Sequence, residues 1–168
     1  DIFGCARACA AAGARFQAAQ LLALTPAADV SDATCMRAGA ELVRDMLACE
    51  PPAAGGPAGE LRCSEEQRTL DLAVAGAAKH LGGGAEQCAM IVNAVEALSS
   101  AHGFYPEAEE DADAIADIPA WVWLRCAWLV ELAASCMSPN SMRSLPPQLA
   151  SAVSRFAATA AARDEPLC

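Results

Sequence analysis

Positive charge is scarce in this sequence. One lysine and ten arginines stand against 21 acidic residues, for a net charge of −10. Such a chain lacks the basic surface that neutralises phosphates, so nucleic acid is excluded as a partner. No stretch reaches the roughly 18 uncharged apolar residues of a membrane span. The best, Ile118 to Met137, is interrupted by Arg125 and Glu131, which leaves the chain peripheral to a membrane at most. There are two histidines, His80 and His102, and neither lies in an H-E-x-x-H pattern or beside a cysteine at metal-binding spacing. No C-x-x-C occurs, which removes the spacing of zinc sites and thioredoxin-like centres. Gly82-Gly83-Gly84 has no strand pattern before it and no Walker lysine after it, so it reads as a helix break and not a phosphate cradle.

What remains is small and sulfur-rich. Alanine supplies 42 of 168 residues, whereas Phe, Trp and Tyr together make up 5%. The core must therefore be built from small side chains, within one domain spanning 1–168. The nine cysteines are Cys5, Cys9, Cys35, Cys49, Cys63, Cys88, Cys126, Cys136 and Cys168. Their spread of one or two per expected helix is that of a disulfide framework formed in an oxidising space. The alternative is that they are free thiols packing as small hydrophobes. Because nine is odd, at least one is free or bonded to another molecule. The sequence opens at Asp1 with neither a basic n-region nor an apolar h-region, as expected of a processed chain.

Apolar spacing predicts an all-α fold of about six helices arranged as three antiparallel hairpins, 2–49, 64–102 and 119–163. The first helix, 2–24, is drawn by Cys5, Cys9, Ala12, Phe16, Ala19 and Ala23 at 4, 3, 4, 3, 4 spacing, and stops at Thr25-Pro26. The second starts at Ser31 or Asp32, either of which can cap it. It carries Cys35, Gly39, Leu42, Met46 and Cys49, and Pro51-Pro52 ends it. A Pro/Gly-rich connection follows. Ser64-Glu65-Glu66-Gln67 is a capping box for a third helix that runs through Leu70, Val74, Ala77 and Leu81 to the glycines. The fourth, about 85–101, carries Cys88, Ile91, Val92, Val95 and Leu98. An acidic loop with partial helix, Phe104 to Ile118, precedes the fifth, 119–137, the most apolar and the expected centre of the fold, with Trp121, Leu124, Trp128 and Leu132 as its stripe. The sixth, opened by Pro146-Pro147, buries Leu149, Val153, Phe156 and Ala160.

Counting outward from a turn near residue 28 places Cys9 and Cys49 at nearly equal distances, the best single pair for a bridge. Cys35 and Cys88, near helix starts, are expected to bridge between hairpins. Trp123 lies off the stripe that Trp121 and Trp128 share, so Trp123 and Trp121, with Phe104 and Tyr105 in the loop, are the candidate partner contacts. The plainer alternative is a helix buried all round. Each histidine is most simply a helix-end residue; the functional alternative is an axial ligand to the magnesium of a chlorophyll, although no motif supports a cofactor. The acidic run Glu107 to Asp117 lacks the glycine and alternating ligands of a calcium loop and reads as solvated surface. No catalytic or metal residues emerge.

The combination of Cys5-x-x-x-Cys9, Cys35, Cys88 and Cys126 near helix starts with alanine-dominated stripes in an acidic chain resembles the Cys-punctuated helical accessory and linker subunits of dinoflagellate and related algal photosystem-antenna supercomplexes. The light-harvesting pairing of Glu and Arg within a transmembrane helix is missing. The resemblance implies a non-catalytic subunit on the lumenal face of a photosynthetic membrane complex, with protein subunits as partners and the thylakoid lumen as compartment. Its rival is a secreted or cell-surface helical binding or inhibitor module, similar in style to plant invertase inhibitors without their four-Cys arrangement.

Overall fold

A computed structural model describes residues 2–50, 65–102 and 119–137, with 147, 150, 151, 153 and 154 singly. Among these residues the chain is all-helical and has no strand. Six helices follow in order: α1 (Ile2–Ala11), α2 (Arg15–Ala23), α3 (Ala27–Val30), α4 (Ala33–Leu47), α5 (Glu65–Ala101) and α6 (Ala120–Ser135). The Pro/Gly-rich connection, the acidic loop and most of the expected sixth helix lie outside the described residues. Val153, expected in the buried face of that sixth helix, is exposed.

The helices among the described residues divide the chain differently from the apolar pattern. The expected first helix is two. Gly13 adopts φ +80°, Ala14 N–H donates to Cys9 O at 2.8 Å and Gly13 N–H to Ala10 O at 3.0 Å. This pair of bonds is a Schellman motif, which satisfies the last carbonyls of α1 and turns the chain before α2. The stripe read straight through the break is mostly not the core. Phe3 and Ala6 are buried in α1 and Ala18, Ala19 and Leu22 in α2, whereas Cys5, Ala12, Phe16 and Ala23 are exposed. Pro26 then opens the short α3, and Asp32 caps α4, its carboxylate accepting from the N–H groups of Thr34 and Cys35 at 2.9 Å each. Those two bonds hold the Asp32 carboxyl below its ordinary range.

Helix α5 is two helical halves across Gly83, whose φ of 80° and ψ of −174° belong to a region open essentially to glycine alone. A Cβ on Gly82 would sit 2.4 Å from Glu86 Cβ, so the bend needs glycine there as well. In a straight helix residues 75 and 87 would be about 18 Å apart. Here Gln87 Nε2 donates to Ala75 O at 2.8 Å, so the second half turns back towards the first.

The fold centres on α5, not on the tryptophan helix. Helices α2, α4 and α6 all pack against it. Its stripe Val74, Ala77, Ala78 and Leu81 and the expected set Cys88, Ile91, Val92, Val95 and Leu98 are buried, together with Leu22 from α2, Leu42, Val43, Met46 and Leu47 from α4, and Val122, Cys126, Leu129 and Leu132 from α6. Each aliphatic side chain so buried stabilises the fold by roughly 1.5–3 kcal/mol. At Gly39 a Cβ would meet Leu81 Cδ1 at 2.9 Å and Phe3 Cε1 at 3.1 Å, so glycine is what lets α4 approach both α5 and α1.

No two described cysteines stand at disulfide distance, and Cys5, Cys9, Cys35, Cys49, Cys88, Cys126 and Cys136 are free thiols. The expected Cys9 to Cys49 bridge is therefore not present. Its derivation ran the first helix straight through residue 13, and the break at Gly13 removes the register on which the equal distances depended. Cys35 and Cys88 bridge to no other described cysteine either. Cys63 and Cys168 lie outside the described residues.

Candidate functional site

The densest polar chemistry among the described residues sits inside the bundle. Asp71, on the first half of α5, is fully buried, and so in effect is Arg125 at the middle of α6. Arg125 forms a fork on the carboxylate, with Nη1 on Oδ2 and Nη2 on Oδ1, the latter at 2.8 Å. Trp128 Nε1, one turn along α6, donates to Oδ2 at 2.8 Å, and Gln67 Nε2, one turn back on α5, donates to Oδ1 at 3.1 Å. Four donors thus converge on a group with about four lone-pair sites. Arg125 Nη2 also donates to Leu47 O at 2.8 Å, an end-of-helix carbonyl of α4 that has no partner within its own helix. One guanidinium therefore ties α4, α5 and α6 together. The Arg68 guanidinium lies 4.8 Å from the Trp128 ring centroid and covers it from outside.

This arrangement can hold helices but has no acceptor left for a substrate. A carboxylate that accepts four hydrogen bonds, two of them from one guanidinium, has its lone pairs committed within the fold. The thiols behave similarly. Burial pushes Cys126 up to about 11, beyond what its contact with Ser99 Oγ and the nearby Arg125 offset, and burial likewise raises Cys88 and Cys136. Cys35 is also raised, by desolvation and by the Asp32 carboxylate beside it. These thiols stay protonated near neutral pH and are poor nucleophiles.

Trp123 is 7% exposed and belongs to the core, so it is not a partner contact. The stripe read from Trp121, Leu124, Trp128 and Leu132 is rotated: Val122, Trp123, Arg125, Cys126 and Leu129 face inward, while Trp121, Leu124 and Trp128 are half-buried. The salt bridge is what sets this rotation, since Arg125 must meet Asp71. Trp121 stands edge-on to His102, ring centroids 5.0 Å apart at 85°. Phe104 and Tyr105 lie outside the described residues. His80 Nε2 bonds Thr25 O at 2.9 Å; a carbonyl can only accept, so Nε2 carries the proton and fastens the end of α2 to α5. Ligation of a metal by that nitrogen would give up this bond. Among the described residues no group of three or more His, Cys, Asp or Glu is placed to hold a metal ion, and no helix is long and apolar enough to cross a membrane.

Two surface features remain. Large apolar side chains are exposed on the α2 and α5 pair: Leu24 at 73%, Leu72 at 55% and Phe16 at 45%. Beside Phe16 an open groove of about 530 Å³ runs between the start of α2 and the start of α5, past Glu65, Glu66 and Leu70. A smaller cleft of about 260 Å³ lies among α1, α2 and α4, lined by Arg7, Arg15, Leu42, Met46 and Cys49. In it Arg15 Nη2 donates to Cys49 Sγ.

No protein-family model, curated protein or solved structure matches this chain. Function therefore has to be argued from these features. Sequence reasoning missed Asp71 and the Arg15–Cys49 contact. It noted Arg125 only as an interruption of an apolar run, although a charge in the middle of the most apolar helix is itself the sign of a buried partner.

Proposed function

We propose that the chain is a non-catalytic helical docking body, a structural or linker subunit that seats on a larger protein complex. The observation that carries this reading is the outward display of Leu24, Phe16 and Leu72 on two helices packed against each other. Exposed side chains of this size on neighbouring elements are the raw material of a protein interface. The acidic charge suits basic loops on the partner. The closed Asp71–Arg125 network supports the absence of catalysis, because the groups best placed for acid–base work are committed to structure. The finer architecture belonging to this reading is paired antiparallel helices, supported for 64–102 by the Gln87 to Ala75 bond.

The setting is a photosynthetic supercomplex, on its lumenal side, with protein subunits as partners. Its support is the resemblance in style, since free thiols at the described cysteines take away the argument from an oxidising space. The alternative, a secreted or surface binding module, is favoured by the open groove beside Phe16 and Leu70, which could receive an apolar ligand.

Native-gel migration of the chain in detergent extracts of source membranes tests the proposal. The wild type is expected at the mass of a large complex, and a Leu24→Asp, Leu72→Asp variant at its own mass with unchanged helical signal. Migration of the wild type as a free 17.2 kDa chain contradicts the docking role. Protease protection after import into plastids then separates the lumen from the secreted alternative.

A further inference from the structure

We propose that this chain has a second folded state, a domain-swapped dimer with another copy of itself, in which α5 is one straight helix and Gly82 and Gly83 are the hinge. Helical hydrogen bonding runs over all 37 residues from Glu65 to Ala101, and Gly83 alone has non-helical φ and ψ. Moving that one residue into the α region turns α5 into a rod of about 55 Å.

The bend divides the described chain into two bodies, one before Gly83 and one after it. The first is held together by His80 on Thr25 O and by the close approach of Leu81 to Gly39. In the second, Ser99 lies against Cys126 and His102 stands edge-on to Trp121. Between the bodies run the Gln87 bond to Ala75 O, the fork of Arg125 on Asp71, the Trp128 bond to the same carboxylate and the Arg125 bond to Leu47 O. None of these pairs has to come from one chain. When two copies exchange their second bodies, each contact re-forms across copies. What differs between the states is the hinge and the freedom lost on pairing.

Two independent features of the hinge set the balance. Gly83, at φ 80° and ψ −174°, occupies a region open essentially to glycine, so a side chain there resists the bend. At Gly82 a Cβ would lie 2.4 Å from Glu86 Cβ. That clash belongs to the bend, because in a straight helix residues four apart stand about 5–6 Å apart at Cβ. Both positions thus accept a side chain in the rod and resist one in the hairpin. Gly84 is the internal comparison: it has no positive φ, and a Cβ there meets nothing within 4 Å. Gly82 and Gly83 hold the chain as a folded-back monomer, and their loss releases the swap.

Light scattering after size exclusion, over a range of chain concentrations at moderate salt, tests this. Gly83→Ala is expected to raise the dimer association constant over wild type by about thirtyfold or more, because both hinges of a dimer are relieved. Gly82→Ala should act in the same direction, and Gly84→Ala should leave the wild-type value. The dimer should have twice the 17.2 kDa mass of the chain and keep its helical signal. A Gly-Ser-Gly insertion after Gly83 gives the chain room to fold back and interrupts the rod, so it should return Gly83→Ala to monomer. Adding Leu24→Asp and Leu72→Asp to Gly83→Ala should leave the dimer intact, which separates the swap from association through the exposed apolar face. A Gly83→Ala chain that stays folded and monomeric as concentration rises overturns the proposal. So does a dimer indifferent to the insertion, formed equally by Gly84→Ala, or dissolved by the Leu24 and Leu72 changes. Should the alanine variants fail to fold, refolding of the wild type from denaturant at high concentration decides. A dimer that the insertion abolishes supports the swap, and monomer alone overturns it.

Discussion

Two arginines divide this molecule into a closed region and an open one. Arg125 is buried, and its guanidinium meets a carboxylate, the end of a helix and a core of aliphatic side chains. Arg15 stands at a rim, where its guanidinium meets the Cys49 thiol in the lining of an open cleft. The same chemical group is enclosed in a buried network in one place and lines a surface cleft in the other. What separates them is saturation. The lone pairs of Asp71 are all engaged by the protein, whereas Arg15 and Cys49 are only half-buried.

Opening the closed region should give the largest effect. Asp71→Ala leaves the Arg125 charge buried without its carboxylate, and loss of about 3–5 kcal/mol of unfolding free energy is expected in denaturant titrations. Replacing both partners, Asp71→Leu with Arg125→Met, should cost far less than the sum of the single changes, because no charge is then stranded. Additive losses would mean that the pair is not coupled.

Next comes alkaline pH, which distinguishes buried from rim thiols. Cys126 is held up to about 11 in the fold, against about 8.5 in the unfolded chain. Its protonated form therefore contributes fully below the unfolded value. Between about pH 8.5 and 11 the unfolded state sheds this proton and the folded state keeps it, so stability should fall as pH rises, by roughly 3 kcal/mol across the window. Cys126→Ala should flatten that slope, and an unchanged slope would contradict the burial assigned to it.

Gly83→Ala should cost about 1–3 kcal/mol, since alanine cannot adopt its backbone conformation without strain. At the Arg15 end, the equivalent change at Gly13 is expected to cost about 1–2 kcal/mol through φ alone, because a Cβ there meets nothing within 4 Å. The smallest effect concerns Asp32. Its carboxyl is lowered by the α4 cap, so its contribution is present above the ordinary carboxylate range and lost as pH falls through the lowered value. Asp32→Ala should lower the thermal midpoint slightly at neutral pH and leave it unchanged in strong acid.

Legibility from sequence followed physical kind. Periodicity alone identified the buried faces of α4 and of the second half of α5, because Gly39, Leu42, Met46, Cys88, Ile91, Val95 and Leu98 are apolar and lie on uninterrupted helices. It failed at residues 2–24, where alanine on every side let a stripe be drawn through a glycine that ends the helix. It failed again on α6, where the largest residues suggested one face and an ion pair chose another. The true stripe at the start of α5, Gln67, Asp71, Val74, Ala78 and Leu81, keeps the 4, 3, 4, 3 rhythm but begins with two polar residues. An apolar search starts it too late. The Arg15 to Cys49 contact joins residues 34 apart in different helical segments, and spacing within single helices carries no sign of it.

The most direct measurement is site-resolved alkylation of the chain purified without reductant. In the folded protein the exposed Cys5 should label readily and Cys88 and Cys126 only as fast as the bundle opens. After unfolding all seven described thiols should carry the label. Thiols at Cys9 and Cys49 that stay unlabelled until a reductant is added, or a Cys126 that reacts as quickly as Cys5 in the native state, would contradict a body closed by packing and one buried ion pair.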